Sequence, residues 1–599
     1  MPSVRNICLV FACLACLPGD VRAQDGANVL VVANENSPAS LDIAEYYVKR
    51  RNIPQAQLLK IKTSTADQVT RAEYDFTIQA PIVSWLSRNA AQDRILYIVL
   101  TKGVPLRVAG TGGRTGTVSS VDSELTLLYR RMTGKAVAPN GSIPNPYYLA
   151  DAPVSSATRF SHAEHDIYLV TRLDGFTTEE VKALIDRGIE PATTGRVLLD
   201  QRAGPNQVPN EWLAEAARRL DAQGFGKRIV LEESSRVVEP EKGVLGYYSW
   251  GSNDPAMTER APGVEFAPGA LAAMFLSSDA RTFTEPPDEW KPGRWESRQA
   301  YYAASPQSLT GDLVRAGVTG AAGYVAEPYL DSSVRPEILF PSYIAGFSLA
   351  EAFYLALPAL SWQSVVVGDP LCAPFARSSV PAAELDPPLD TDTEQPSLFS
   401  ARRLAALNVK TQPAAAKLVL RAEARLARQD NDGARAALEQ AVAMDDSLTM
   451  AWRALSGLYE LGSEHEEAIA AYRKVIEREP KDAISLNNLA YSLAVREGKL
   501  EEALPLAERA FLLAKSPVIA DTVGWIKYLM GDHAGALKLL EPAAKALPGN
   551  ADVQLHAAAA FAAAGRVEEA AAALKAAATL NPGIAERQEF QEIQRKIQK

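Results

Sequence analysis

Thiols are almost absent from the working part of this chain. Of four cysteines in 599 residues, Cys8, Cys13 and Cys16 crowd the amino terminus and only Cys372 lies beyond them. One thiol can form neither an internal disulfide nor a cysteine-based zinc site, which uses two to four thiolates. Histidine is nearly as scarce, with five in all. Positive charge is also short: 62 Lys and Arg face 72 Asp and Glu, a formal net charge of −10. That balance argues against nucleic-acid binding as the main task. Past the amino terminus no apolar run approaches the ~20 residues of a spanning helix, so no stable membrane insertion is expected.

What is present is enough for two or three globular domains, with 47% hydrophobic and 22% charged residues over a length too great for one core. Arg5, the apolar run from Ile7 to Leu17 and the small-residue ending Val21-Arg22-Ala23 read as a secretory signal peptide over residues 1–23. The protein is therefore expected to be exported, periplasmic or extracellular, with a mature chain starting at Gln24. A short membrane anchor is the alternative, for which the run is too brief.

The carboxy-terminal third carries an internal period. Ala434, Ala468, Ala503, Ala536 and Ala570 recur in similar surroundings at spacings of 34, 35, 33 and 34. Pro480, Pro548 and Pro582 stand twelve residues after three of these alanines and are expected to end the second helix of each unit. Pro517 is expected to do the same after Ala503. Gly498, Gly531 and Gly565 mark the turns within units. This pattern, with Trp452, Leu455, Tyr459, Ala468, Tyr472 and Pro480 in its best-preserved unit, resembles the tetratricopeptide repeat (TPR) family. The resemblance implies an all-α solenoid over 398–599, five repeats across about 415–582 and a capping helix. It also implies a groove that takes a peptide or protein partner. Asn487, Tyr491, Trp525 and Tyr528 are candidates to line that groove, although Trp525 and Tyr528 equally suit the core between repeats. No Lys/Arg cluster suited to clamping a terminal carboxylate is visible.

Residues 380–396 hold four prolines and five acidic residues with no basic one. The stretch 379–397 is therefore expected to be an extended linker. Upstream, over 24–378, continuous apolar runs alternate with helical patterns: 28–34, 94–100, 167–173, 195–200, 228–233, 243–250, 270–278, 318–325 and 364–371 read as strands. Thr177-Thr178-Glu179-Glu180 reads as a capping pattern opening a helix. Unbroken apolar strands separated by helices predict a three-layer α/β domain with a largely parallel sheet, in two parts joined near residues 110–165.

Ligands in such folds bind beyond the carboxyl ends of strands, which directs attention to Thr101–Arg107, Asp174-Gly175, Gln201-Arg202, Gly251–Asp254 and Asp279. The order of a Tyr-x-Trp-Gly-Ser strand end, then "FLSSDARTF", "GDLVRAGVTGAAGYV" and "VVVGDPL", resembles the second half of the caspase-like fold in its gingipain-type branch. That family places a His-Gly after one strand and a nucleophilic Cys after the next. Here Trp250 stands at the His position, before Gly251, and Ser278 at the Cys position. The resemblance thus implies the fold and argues against the peptidase activity. The strings "LTKGVPLRV", "SVDSEL", "YLVTRLDG", "EPYL" and "LSWQSVVVGDPL" are similar to a family of exported bacterial proteins over about 28–376, a likeness that brings no chemistry with it.

Four other constellations are weak. His162 and His165 with Asp166 could ligate zinc, but the segment reads as a polar loop and no metal is expected. Ser249 sits in half of a nucleophile elbow that lacks its first glycine, Tyr247 standing there. The glycine-rich stretch 110–117 lacks the Lys-Ser/Thr of a phosphate cradle. Asp122 and Glu124 alternate as they would on one side of a strand, where a carbohydrate or cation site competes with a solvated edge. No cofactor is implied. Two function classes remain open. One is an exported scaffold with a catalytically silent α/β domain; the other is an extracytoplasmic hydrolase with an unrecognised site. The missing His and Cys favour the first.

Overall fold

The computed structural model describes residues 21–110, 118–137, 142–204, 207–234, 237, 240–407 and 412–598. The signal-peptide reading over 1–23 and the glycine-rich stretch 110–117 thus lie almost entirely outside the described residues. The chain divides into two compact units, one of residues up to 391 with 395–407, the other of 392–394 with 408–599.

The first unit is built on one ten-stranded sheet. Its strands are β1 (Val29–Asn34), β2 (Leu58–Ile61), β3 (Tyr97–Thr101), β4 (Leu169–Leu173), β5 (Arg196–Asp200), β6 (Ile229–Glu232), β7 (Lys242–Ser249), β8 (Glu265–Met274), β9 (Gly320–Tyr324) and β10 (Ser364–Gly368). They lie in the order β6-β5-β7-β8-β9-β10-β4-β3-β1-β2. Every neighbouring pair is parallel except β9 and β10. The sheet is therefore two parallel halves meeting at one antiparallel seam. Each half has the same internal order, its second strand outermost, then first, third, fourth and last. The chain passes between halves after β4, through residues 174–195, and not near 110–165 as the sequence reading had it; β10 then returns to complete the first half.

The strand pattern follows from burial on both faces. Along β1, Val29, Val31 and Ala33 pack with Ile43 and Tyr47 of helix α1 (Pro38–Arg50). Leu30 and Val32 face the other way, toward Ile82 and Leu86 of α2 (Ala80–Arg88). Every β1 residue is buried, which is why the strand reads as continuously apolar rather than alternating. Further helices are α3 (Val121–Thr126), α4 (Thr178–Ile189), α5 (Val208–Ala222), α6 (Thr310–Arg315), α7 (Pro336–Ala345) and α8 (Leu349–Ala356). At α4 the expected capping pattern is realised: Glu180 N donates to Thr177 Oγ1 (3.2 Å), and the Glu180 carboxylate accepts from Thr177 N (3.1 Å).

Two expectations are corrected here. Asp122 and Glu124 lie on helix α3, not on a strand, and both are buried. Asp122 takes two hydrogen bonds from the fully buried Arg172 (3.0 and 2.6 Å), which also reaches Asp174 (3.1 Å). Glu124 is held by Arg71 and Arg131 and by the hydroxyls of Ser119 and Ser361. Asp122 neutralises a buried arginine and Glu124 two half-buried ones; neither acid edges the solvent.

The acidic proline-rich stretch is also no extended linker. Leu385 is buried, and Leu389–Asp390 pairs antiparallel with Gln395–Pro396. Helix α9 (Ser397–Leu407), assigned from sequence to the solenoid, belongs to the first unit. The buried Asp93 accepts from Leu398 N and Phe399 N at its amino end, and Phe399 packs edge-on to Tyr129 at 5.5 Å. A carboxylate cap and one aromatic anchor outweigh the composition of the stretch.

The second unit is all helix. Five pairs follow one another: α10 (Pro413–Ala427) with α11 (Asn431–Met444), α12 (Thr449–Leu461) with α13 (His465–Arg478), α14 (Ala483–Val495) with α15 (Leu500–Leu513), α16 (Pro517–Leu529) with α17 (His533–Ala546), and α18 (Ala551–Ala563) with α19 (Val567–Leu580); α20 (Gln588–Ile597) follows. The five periodic alanines each occupy the fourth residue of a second helix and are fully buried. A methyl group there lets paired helices approach closely. Five residues before each alanine stands a left-handed turn residue: Gln429 (φ 66°), Ser463 (61°), Gly498 (66°), Gly531 (85°) and Gly565 (73°). Pro517 opens α16 rather than closing α15, because its missing N–H costs nothing in a first turn.

Candidate functional site

In the repeat unit the first helices of three successive pairs present one face each to a common cleft of about 420 Å³. Helix α14 contributes Asn487, Asn488, Tyr491 and Ser492, α16 contributes Val518, Asp521 and Thr522, and α18 contributes Asp552, Val553 and His556. Glu460 and Tyr472 from the preceding pair close one end. Steps of three and four residues put each set on one side of its helix.

Polar side chains in this cleft are held in place from behind. His556 Nδ1–H donates to the Asp521 carboxylate (2.9 and 3.1 Å), since a carboxylate can only accept. The imidazole stacks on Trp525 at 4.1 Å, and Trp525 stacks on Tyr528 at 5.1 Å. Ser492 Oγ donates to Glu460, and Asn488 Nδ2 donates weakly to Tyr472 (3.4 Å). Asn487 Nδ2 donates to Asn488 (3.3 Å), while Asn487 Oδ1 is buried with no hydrogen-bond partner. Burial raises the Tyr491 hydroxyl above the ordinary tyrosine value, so it is a neutral donor and acceptor.

Of the four groove candidates, Asn487 and Tyr491 line the cleft. Trp525 does not: it is buried, 5% exposed, in the core between the last repeats. Tyr528 packs against the same core. Asp521 and Trp525 lie one turn apart on the same side of α16, and the His556 ring both bonds Asp521 and stacks on the indole. Sequence reasoning missed Asp521, Asp552, Glu460 and His556. The signal available was position: Asn487 and Asp521 are each the fifth residue of successive first helices, and His556 stands one place further along the next.

In the first unit Trp250 and Ser278 lie beyond the ends of the neighbouring strands β7 and β8. Trp250 Nε1–H donates to Asn210 Oδ1 (2.7 Å), and the Arg202 guanidinium lies 4.0 Å over the indole. Ser278 Oγ is hydrogen-bonded to Ser305 Oγ (2.8 Å) and Gln307 Oε1 (2.9 Å). Neither neighbour is a base. Arg281 fixes the loop by donating to the carbonyls of Ser278, Tyr302, Ser305 and Gln307. Asp279, next to Ser278, is fully buried and pushed up to about 6 by that burial. It accepts from Tyr324 N and Thr310 Oγ1, both at 2.9 Å.

His162 and His165 do not assist Ser278. The buried His162 ring nitrogens face the carbonyls of Ile95 (2.8 Å) and His165 (3.2 Å), and the ring stacks on Tyr129 at 4.3 Å. Asp166 is taken by Arg130 and Lys135. Among the described residues no His, Cys, Asp or Glu group is arranged to hold a metal ion, nor is any helix long and apolar enough to cross a membrane. A second cleft, about 190 Å³, lies beyond the ends of β1 and β3 and includes Ser37, Asp67, Lys102 and Asp174. Lys102 Nζ donates to Gly175 O (2.7 Å) and Phe283 O (3.0 Å) and lies 3.5 Å from Asp174.

Comparison with known proteins concerns the repeat unit. Tetratricopeptide-repeat family models match residues 419–478, 458–517 and 528–597. A TPR repeat-containing protein of Pseudomonas aeruginosa is 40% identical over 85 residues, 14% of this chain. The match spans only 14% of that relative's length. Among solved structures, YrrB, a TPR protein with an unusual peptide-binding site, is 20% identical, covering 30% of this chain and 92% of its own, with a TM-score of 0.26. PilW, a type IV pilus biogenesis factor, is 18% identical, covering 31% of this chain and 93% of its own, with a TM-score of 0.26. Together with the helix pairs and their register, the family matches identify residues 419–597 as tetratricopeptide repeats, an architecture of protein-interaction scaffolds.

Proposed function

We propose that this chain is an exported scaffold whose TPR array recruits a peptide or protein partner beside a catalytically silent, caspase-like α/β domain. The observation that carries the binding half is the cleft shared by α14, α16 and α18, with polar groups preset by hydrogen bonds behind it. Preset groups lose little freedom on binding, which favours recognition of an extended or helical segment. Export rests on residues 1–23 alone.

Silence is supported by the two strand-end positions. An indole nitrogen is a donor only, so Trp250 cannot accept a proton from a nucleophile. Ser278 hydrogen-bonds to a hydroxyl and an amide, and without a base its hydroxyl stays unactivated. General-base help is worth about 10²–10⁴-fold, so its loss removes useful turnover. The hydrolase alternative would turn to the cleft at Lys102, but that ammonium is already engaged by two carbonyls and Asp174.

Two measurements test the proposal. A photo-cross-linking residue at Tyr491 of the full chain, in its native host, should trap a discrete partner; the same residue at exposed Lys575 should not. Equal trapping from both places would remove the cleft as the interface. On a peptide and ester library, wild type and Ser278→Ala should be equally inactive. Hydrolysis present in wild type and lost in the variant would make the protein an enzyme.

A further inference from the structure

The cleft between α14, α16 and α18 is acidic as well as polar. Its lining includes Glu460, Asp521 and Asp552 and not one lysine or arginine. Asp521 is nearly closed from solvent, its side chain 9% exposed, and it accepts from His556. Glu460, 28% exposed, has a serine hydroxyl on one oxygen and His465 3.4 Å from the other. At the margin stand two guanidinium groups: Arg587, paired with Asp552, and Arg496, which acts with Arg587 on the Tyr491 hydroxyl. The Arg587–Asp552 pair is solvent-exposed on both sides, and such pairs contribute little. A bound cation could displace it.

A second, independent feature asks for a donor. Asn487 is 93% buried, and its Oδ1 has no hydrogen-bond partner. Its Nδ2 donates to Asn488, whose own Nδ2 donates to Tyr472, and Oδ1 is the group left over. A buried carbonyl left unpaired is costly, and an incoming N–H would satisfy it.

We infer that this cleft selects a cationic segment, a stretch of polypeptide bearing arginine or lysine. Its positive head lies against Glu460 and Asp521, and one of its N–H groups donates to Asn487 Oδ1. The inference rests on the reading of the cleft as the partner site and adds the chemistry of the partner. Carboxylates in a half-enclosed cleft draw in cations and repel acidic segments, giving specificity more than raw affinity.

The test uses the full chain and two dye-labelled probes of roughly ten residues, enough to cross three helices when extended. One alternates leucine with arginine, the other leucine with glutamate. By fluorescence anisotropy at low salt the arginine probe should bind about tenfold or more tightly than the glutamate probe, an advantage that shrinks as salt screens it. Glu460→Gln and Asn487→Ala should each weaken the arginine probe about 3–10-fold, the scale of a lost charge-assisted or buried hydrogen bond. Glu501→Gln, on the exposed face of α15, should change nothing, and melting curves confirm that the variants fold. Equal binding of the two probes, or loss of affinity on Glu501→Gln as large as on Glu460→Gln, overturns the inference. If the glutamate probe binds more tightly and Tyr491→Ala weakens it, the inference fails while the cleft remains the partner site. If neither probe binds and no cross-link forms at Tyr491, both fail.

Discussion

The two units of this chain solve the problem of burial in opposite ways. In the repeat unit the decisive residues are alanines, and each acts within one pair of adjacent helices close in sequence. In the α/β unit the decisive residues include large ionised groups brought together from afar. Arg172, wholly buried, meets Asp122 across fifty positions of sequence. Asp369 receives Arg51 and the Tyr47 hydroxyl from the other end of the domain. Local small-residue packing makes a structure whose damage stays local. A sheet knitted by buried long-range ion pairs is expected to fail as a whole when one partner is removed.

The largest effect should come from breaking that second kind of contact. Arg172→Met leaves Asp122 buried without its counter-ion and Asp174 with Lys102 alone, at a cost of about 3–5 kcal/mol. Hydrogen exchange should then rise throughout β1 to β10, while protection in α10 to α19 stays as before. Loss of protection in both units together would show that they fold as one, and the comparison would collapse.

Next in size is an acid sensitivity confined to the α/β unit. Burial lowers His162 to about 4, against about 6.5 in an unfolded chain. The folded state thus binds this proton less readily than the unfolded state. The contribution to stability is complete above pH 6.5 and is lost as pH falls from there toward 4. The full shift amounts to ~3–4 kcal/mol. Between pH 7 and pH 4.5, chemical denaturation should show wild type losing more stability than His162→Phe, which has no such proton to take up. Equal losses in the two proteins would mean that this ring is not kept neutral by burial.

Ala468→Leu probes the local kind of contact. Forcing a branched side chain into the crossing of α12 and α13 should cost about 1–3 kcal/mol by overpacking. Protection should fall in those helices and their immediate neighbours and hardly change beyond them. An unchanged exchange pattern would mean that the alanine does not stand at a tight crossing.

The smallest effects are gains. Gln429 and Ser463 hold the left-handed turn that glycine holds in the other three repeats. Replacing either by glycine relieves backbone strain but loosens the unfolded chain, for a net gain of about 0.5–1 kcal/mol each. Gly531→Ala should lose a similar amount. Thermal melts that order these three variants differently would separate the turn's backbone demand from its neighbours.

How much of this was legible beforehand differs between the units for the same physical reason. The repeat register could be read off five alanines because a local contact leaves a local trace. The apolar strands were legible too, since burial on both faces writes itself as a run of Val, Ile and Leu. Strand β2 was not: Leu58–Ile61 is short, at a sheet edge and only partly buried. Helices α7 and α8 escaped because nearly all their residues are buried, which erases the helical period. The antiparallel seam between β9 and β10 leaves no mark in either strand. Asp122 and Glu124 looked like surface residues because nothing nearby names Arg172 or Arg131 as partners. In the cleft, Trp525 drew attention through its size, whereas Asp521 matters through the register it shares with Asn487 and His556 through its bond to Asp521.

The connections of the array carry one last consequence. All five second helices have fourteen residues, and the first helices of the last four pairs have thirteen. The uneven spacing of 35 and then 33 arises outside them, in a turn one residue longer before α15 and a link one residue shorter before α16. Length thus varies in the connections, where no helix interface is disturbed, while helix length is constant from α11 to α19 apart from the alternation of thirteen and fourteen. A lineage built this way can gain or lose whole repeats by unequal recombination without redesigning any surface. The number of repeats, and with it the length of partner that can be gripped, is then the property most free to drift between descendants.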